Sequence, residues 1–95
     1  MEKRYELKHI AAEHRYVFDL GDDKAYIAYE EQPNAVVLTH TIVPEAYGGQ
    51  GIAAELTEAV LADLKAKGRK IIPECSYIVR WIERHPAWEG MWYKE

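Results

Sequence analysis

Hydrophobic and polar residues alternate from His14 to Leu20, placing Tyr16, Phe18 and Leu20 on one face, the period-two signature of a half-buried strand. Gly21-Asp22-Asp23 breaks the pattern with residues that tolerate positive φ or bond their own backbone. The alternation resumes in Ala25-Tyr26-Ile27-Ala28-Tyr29, within Lys24 to Glu31, so the two segments predict a hairpin. Gln32-Pro33-Asn34-Ala35 supplies the next turn. Residues Ala35 to Val43 are rich in β-branched side chains and apolar on both faces, the pattern of a central strand, and Pro44 ends it.

The period then changes. Ala53, Leu56, Val60, Leu61 and Leu64 recur at three- and four-residue spacing, one apolar stripe of a helix beginning near Gln50. Glu55 and Glu58 precede Lys65 and Lys67, the order the helix dipole favours, and Gly68 stands where a left-handed residue closes a helix. Arg69-Lys70-Ile71-Ile72-Pro73 predicts a short strand. A strand, a helix and a strand in this order predict a parallel βαβ crossover. Ser76 is placed to cap a second helix with Ile78, Trp81, Ile82 and His85 along one side, and Pro86 stops it. His85 and Trp88 read as terminating and anchoring that helix, and Trp88 and Trp92 need a surface to pack on. The fold class is α/β (α+β): a mainly antiparallel sheet of about four or five strands, two helices and one crossover.

Composition narrows the function classes. Ninety-five residues make one domain, and 48% hydrophobic, 12% aromatic and a net charge of −4 describe a folding chain rather than a disordered one. The acidic balance, without a basic stripe, argues against nucleic acid as a partner. No apolar run approaches the ~20 residues of a membrane span, and Met1-Glu2-Lys3-Arg4-Tyr5 lacks a signal-peptide core. The single cysteine, Cys75, excludes an internal disulfide and fits a reducing cytoplasm. Cys75 and the four histidines, His9, His14, His40 and His85, have no zinc-site spacing, so no metal is expected. His9 and His14 show no partner pattern and read as surface residues.

The chemistry concentrates between Pro44 and Ala53. Gly48-Gly49-Gln50-Gly51 joins the end of a strand to the start of a helix, where glycines let backbone N–H groups converge and the helix end adds about half a positive charge. Such a loop is an anion site or simply a tight turn. It is not a Walker loop, since no Lys-Ser/Thr follows the glycines, and its glycine spacing is not that of a dinucleotide fingerprint.

Val43-Pro44-Glu45-Ala46-Tyr47-Gly48-Gly49-Gln50-Gly51-Ile52-Ala53 resembles the coenzyme A loop of the GNAT acetyltransferase superfamily, Arg/Gln-x-x-Gly-x-Gly/Ala, with Gly51 and Ala53 at its fourth and sixth positions. His40-Thr41 before the loop, Pro73-x-Cys75-Ser76-Tyr77 after the next strand, and Arg84-His85-Pro86-x-Trp88 are similar to the minimal, single-domain branch of that superfamily, over about residues 8–90. The resemblance implies a reduced GNAT fold forming one acetyl-CoA-binding domain over residues 1–95. It implies that the amides of Gly49, Gln50, Gly51, Ile52 and Ala53 hold the pyrophosphate of acetyl-CoA, the cosubstrate, and that the main chain of Ile42 and Val43 meets the pantetheine arm. Gly48 departs from the motif: it stands where the family has arginine or glutamine, so one side-chain contact to the phosphates is missing.

Three residues are candidates for chemistry. His40 is a base if it reaches the acetyl group, or a structural histidine among Leu38 and Ile42, taken to share its face. Cys75, at a helix start, is an activated nucleophile that pairs with His40 if the two are close, or a small buried thiol. Tyr77 is a candidate proton donor to the CoA sulfur. The implied activity is acetyl-CoA-dependent N-acetyl transfer to an amine, a protein or peptide amine among the options. The runner-up is a non-catalytic acetyl-CoA-binding module acting with a partner protein, and a protein-interaction domain without cofactor is the third class. The chain omits the terminal elements that build the acceptor pocket in full-length members, so a homodimer or a partner protein is a further expectation.

Overall fold

A computed structural model describes residues 5–94. The predicted hairpin forms as β2 (Arg15–Asp19) and β3 (Lys24–Glu31), antiparallel with Tyr16 opposite Ile27. Gly21 turns the chain at φ 107°, a value side chains resist. Strand β4 (Val36–Ile42) pairs antiparallel with β3, and an outer strand the pattern did not reveal, β1 (Leu7–Ile10), pairs with β2. Helix α1 (Ile52–Ala66) carries the chain back to β5 (Ile71–Pro73), which lies parallel to β4. The sheet order is therefore β1-β2-β3-β4-β5, mixed, with one crossover. Helix α2 (Ser76–Arg84) follows, then a 3-10 segment over Pro86–Met91.

Both helices cover the same face of the sheet. Tyr16, Phe18, Ala25, Ile27, Tyr29, Val36 and Leu38 rise from the strands to meet Ile52, Leu56, Val60, Leu61 and Leu64 of α1 and Ile78, Trp81 and Ile82 of α2. Burying each such large aliphatic side chain contributes about 1.5–3 kcal/mol, so this layer holds the fold. The other face carries no helix. Val17 and Val37 are buried there without belonging to the core cluster, and Ile42 remains 44% exposed.

The ends of the elements follow their residues. α1 closes with Gly68 at φ 71°, its N–H on the Lys65 carbonyl and the Arg69 N–H on the Leu64 carbonyl, a Schellman arrangement. Cys75, and not Ser76, occupies the N-cap of α2. His85 ends α2, Nδ1 2.7 Å from the Trp81 carbonyl and its ring stacked on Trp81 at 4.0 Å. Trp88 packs against Trp81 at 6.1 Å, and Trp92 bridges to Ile71, so the tryptophan tail seals the β5 edge. No helix among the described residues is long and apolar enough to cross a membrane.

Candidate active site

Two features of β4 build the site. The first is where it loses β5. The parallel pairing runs only from Val36 to Leu38, and the N–H groups of Glu74 and Cys75 then both donate to the Leu38 carbonyl, at 2.9 and 3.2 Å. Beyond Leu38 the strands part and α2 begins, leaving the second half of β4 paired on one side. The second feature is a bulge opposite Ala28 and Tyr29: Leu38 faces Tyr29, but His40 faces Ala28, so Thr39 is extra and its hydroxyl donates to the Ala28 carbonyl at 3.1 Å.

The bulge reverses the side-chain alternation, since the pleat period is two residues. Thr41, opposite Ile27, points to the helix side, while His40 and Ile42 point to the uncovered face. The expectation that His40 shares a face with Leu38 is thus corrected by one inserted residue; it does share one with Ile42. His40 is exposed and Cys75 lies on the helix side, so the two do not form a pair.

Cys75 has other partners. Its sulfur and the Thr41 hydroxyl are hydrogen-bonded at 3.4 Å. Burial pushes the thiol pKa up, but the Thr41 hydroxyl and the N–H groups of Ile78, Tyr77 and Thr41 outweigh it, and the net shift is below the ordinary thiol value. The Thr41 N–H therefore faces the gap between β4 and α2. Ile42, one residue on, is paired to Tyr26 of β3, and Val43 follows half-buried against the core. Tyr77, in the first turn of α2, is 37% exposed, and burial raises its pKa, so it stays a protonated donor at neutral pH.

The glycine loop follows β4. A 3-10 turn over Glu45–Tyr47 leads into it, and the Gly48 N–H is already bonded to the Glu45 carbonyl at 3.0 Å. Gly49 and Gly51 take φ values of 79° and 77°, and a side chain built at either would meet nothing within 4 Å, so both positions require glycine for backbone shape and leave open space. The first backbone bond of α1 is Glu55 N–H to the Gly51 carbonyl, at 3.1 Å, and no side chain caps the turn. The N–H groups of Ile52, Ala53 and Ala54 thus point out of the helix end without an intrahelical partner. That uncapped donor set, on a loop open to approach, matches the chemistry of a pyrophosphate.

Because β4 and β5 are parallel, α1 and α2 both start at the carboxyl end of the same strand pair. Two helix N-termini therefore lie at the same end of the sheet, one presenting amides without an intrahelical partner and the other a thiol of lowered pKa. Sequence reasoning missed Thr41 and Ala54: Thr41 matters only through a bulge with no residue signature, and the Ala54 amide only through where α1 starts.

Comparison with known proteins assigns this strand–glycine loop–helix arrangement to a family. A family model described as GCN5-related N-acetyl-transferase matches residues 15–91, and the chain belongs to that family. A GCN5-like protein of Staphylococcus aureus, solved by NMR, superposes with a TM-score of 0.73 at 25% identity, covering 99% of this chain and 93% of the other. Protein NATD1 of Homo sapiens and of Gallus gallus are each 37% identical over 65 residues, 67% of this chain. The matched stretch spans 58% of the human protein and 59% of the chicken one.

Proposed function

We propose that this domain, residues 1–95, transfers an acetyl group from acetyl-CoA to an amine, with Cys75 receiving it first. The observation that carries the reading is a hydrogen-bonded, lowered-pKa thiol at the start of α2 beside β4, where β4 and β5 part. The amides of Gly49, Gln50, Gly51, Ile52 and Ala53, with that of Ala54, hold the pyrophosphate. Gly48 contributes shape alone, because its amide is spent within the turn. The pantetheine arm runs along Ile42 and Val43 toward Thr41, bringing the thioester to the sulfur.

The Cys75 thiolate attacks the thioester carbonyl carbon. The carbon–sulfur bond to CoA breaks, the CoA thiolate leaves and takes a proton from Tyr77, and the acetyl group is held as a thioester on Cys75. The acceptor amine attacks the acetyl thioester, Cys75 leaves as thiolate, and the proton released from nitrogen returns to the Tyr77 phenolate. His40, on the other face of the sheet, takes no part in this step. Thiol chemistry of this kind fits a reducing compartment such as the cytoplasm.

The exposed Ile42 and His40 on a face without a helix favour an acceptor that brings its own surface, a protein or peptide amine. The same bare face supports a second reading, an acetyl-CoA-binding module completed by a partner protein. Incubation with acetyl-CoA followed by intact-mass measurement tests the first step: one acetyl group is expected on the wild type and none on Cys75→Ala. An unchanged wild-type mass removes the covalent route, and absence of turnover across a panel of amines leaves the binding module.

A further inference from the structure

We propose that a cavity between the α1–β5 connection and the 3-10 segment over Pro86–Met91 binds a small organic phosphate monoester. This site is separate from the candidate active site. The connection follows the carboxyl end of α1, and fifteen helical residues at about 1.5 Å each put it roughly 22 Å from the loop amides at the other end.

The cavity holds about 320 Å³, at the small end for ligand sites. Lys65, Gly68, Arg69 and Lys70 form one wall, and Gly90 and Met91 belong to the other. A side chain built at Gly68 or Gly90 would meet nothing within 4 Å, so the space is open at both glycines. No carboxylate among the described residues lines it, although the chain as a whole carries a net charge of −4.

Two of the three cations are placed by their contacts. Lys65 Nζ stands over the Trp88 ring at 5.4 Å, and Lys70 Nζ donates to the Gly90 carbonyl at 2.5 Å. Trp88 and Gly90 are two residues apart, so both ammonium groups gather over one short stretch of the 3-10 segment. Neither is paired with a carboxylate among the described residues, in contrast to Lys67 on Asp63. Arg69 is committed elsewhere, its guanidinium held by Glu31 and by the Gln32 carbonyl, each at 3.0 Å. A lysine in the last turn of a helix also complements the dipole. That accounts for Lys65 but not for Lys70, which lies past the Gly68 turn and reaches across to the far wall.

Charge selects the ligand. Two ammonium groups without a carboxylate match a dianion, and a phosphate monoester carries about −1.5 to −2 at neutral pH where a carboxylate carries a single charge. An ammonium is a point charge with three rotatable donors, which suits a tetrahedral phosphate; a planar carboxylate is better matched by the guanidinium fork that Arg69 has already spent. The buried Met91 and Ala87 add apolar surface to the lining, so an ester with a small carbon skeleton fills the space better than inorganic phosphate does.

Titration of the isotope-labelled protein with phenyl phosphate, followed by amide shifts, tests the site without reference to turnover. Saturable shifts are expected at Gly68, Lys70 and Gly90, and excess acetyl-CoA should not reverse them. Lys65→Gln/Lys70→Gln should weaken binding about tenfold. Lys65→Gln alone, which gives up only the contact with Trp88, should weaken it about threefold. Inorganic phosphate and benzoate should each bind less tightly than phenyl phosphate. Shifts confined to residues 49–54, displacement by acetyl-CoA, or no saturation at millimolar concentration overturns the site. Equal affinity in wild type and double variant overturns it as well. Inorganic phosphate or benzoate binding as tightly as phenyl phosphate overturns the assignment of a phosphate monoester.

Discussion

Cys75 and Thr41 meet across the gap where β4 and β5 part, sulfur to hydroxyl at 3.4 Å, and the pair exists because a bulge turned Thr41 to the helix side. Thr41 gives the thiolate two donors, its hydroxyl and its N–H, and only the hydroxyl is removable by mutation. Thr41→Val keeps the shape and deletes that donor, so the thiol pKa rises and less thiolate is present at neutral pH. Alkylation of Cys75 by iodoacetamide at pH 7.5 should slow roughly threefold to tenfold, and its pH–rate profile should move to higher pH. An unchanged profile would assign the lowered pKa to the α2 amides alone.

Gly48 gives a gain-of-affinity test. Its φ is −63° and ψ 149°, ordinary extended backbone, and an added Cβ would come within 3.3 Å of the Glu45 carbonyl oxygen, a contact that needs a shift of a few tenths of an ångström. Gly48→Arg is therefore compatible with the loop and places a cation beside the proposed phosphate site. Acetyl-CoA affinity should tighten by about threefold to tenfold, with the gain shrinking as salt is raised. Gly51→Ala is the contrasting substitution. Forcing a side chain into φ 77° costs about 1–2 kcal/mol and distorts the loop, so both melting temperature and affinity should fall. If Gly48→Arg binds no better at any salt concentration, the phosphates lie elsewhere.

Much of this molecule was legible along the chain, for identifiable reasons. Tyr16 and Phe18 alternate, Leu56, Val60 and Leu64 recur at helical spacing, and Gly68 closes α1; each is a local pattern with a local cause. Strand β1 escaped because Leu7–Ile10 is an edge strand with two exposed residues of four, and Lys8 and His9 carry no period. The cap of α2 moved from Ser76 to Cys75 because capping depends on which residue keeps extended backbone, and Cys75 is held extended by its bond to Leu38. Within the site, the glycine loop was readable from order and composition. The His40 face was not: one unpaired residue, Thr39, decides it, and nothing in Thr39-His40-Thr41 marks a bulge. A pairing of His40 with Cys75 thus failed at the level of register rather than of residue chemistry.

Tyr47 couples the glycine loop to the rest of the sheet. Its hydroxyl donates to an Asp22 carboxylate oxygen and lies 3.3 Å from the Leu20 carbonyl, so the 3-10 turn before the loop is tied to the β2–β3 turn. The hydrogen bond to Asp22 is the main reason that the tyrosine pKa is raised, and the hydroxyl stays protonated at neutral pH. Tyr47→Phe keeps the ring against the core and frees the turn. Acetyl-CoA affinity should weaken by about threefold to tenfold as the loop amides lose their fixed direction, while the melting temperature changes little. A large fall in melting temperature with unchanged affinity would make Tyr47 a stability residue only.

His9 sets the pH response of the fold, although its sequence context gave it no partner. Its ring stacks on Tyr16 at 4.2 Å, Lys67 Nζ approaches Nδ1 at 3.4 Å, and Nε2–H is left to donate to the Tyr29 hydroxyl at 2.5 Å. Asp63 ties the same cluster together, accepting from Tyr16 at 2.9 Å and pairing with Lys67 at 2.8 Å. Burial and then the Lys67 charge lower the His9 pKa, against the opposing pull of Asp63 and Glu31. A histidine with a folded pKa below its unfolded value contributes stability in its neutral form. That contribution is present above pH 6.5 and is lost as pH falls below it toward the folded pKa. Asp63, also lowered, loses its contribution only below its ordinary value of 3.8, so the two windows are separate. Between pH 7.5 and 5.5 the wild-type melting temperature should therefore drop by a few degrees, and His9→Gln, which keeps a neutral polar group at the cluster, should drop less. An equal drop in both proteins would move the pH dependence to another titrating group and detach His9 from it.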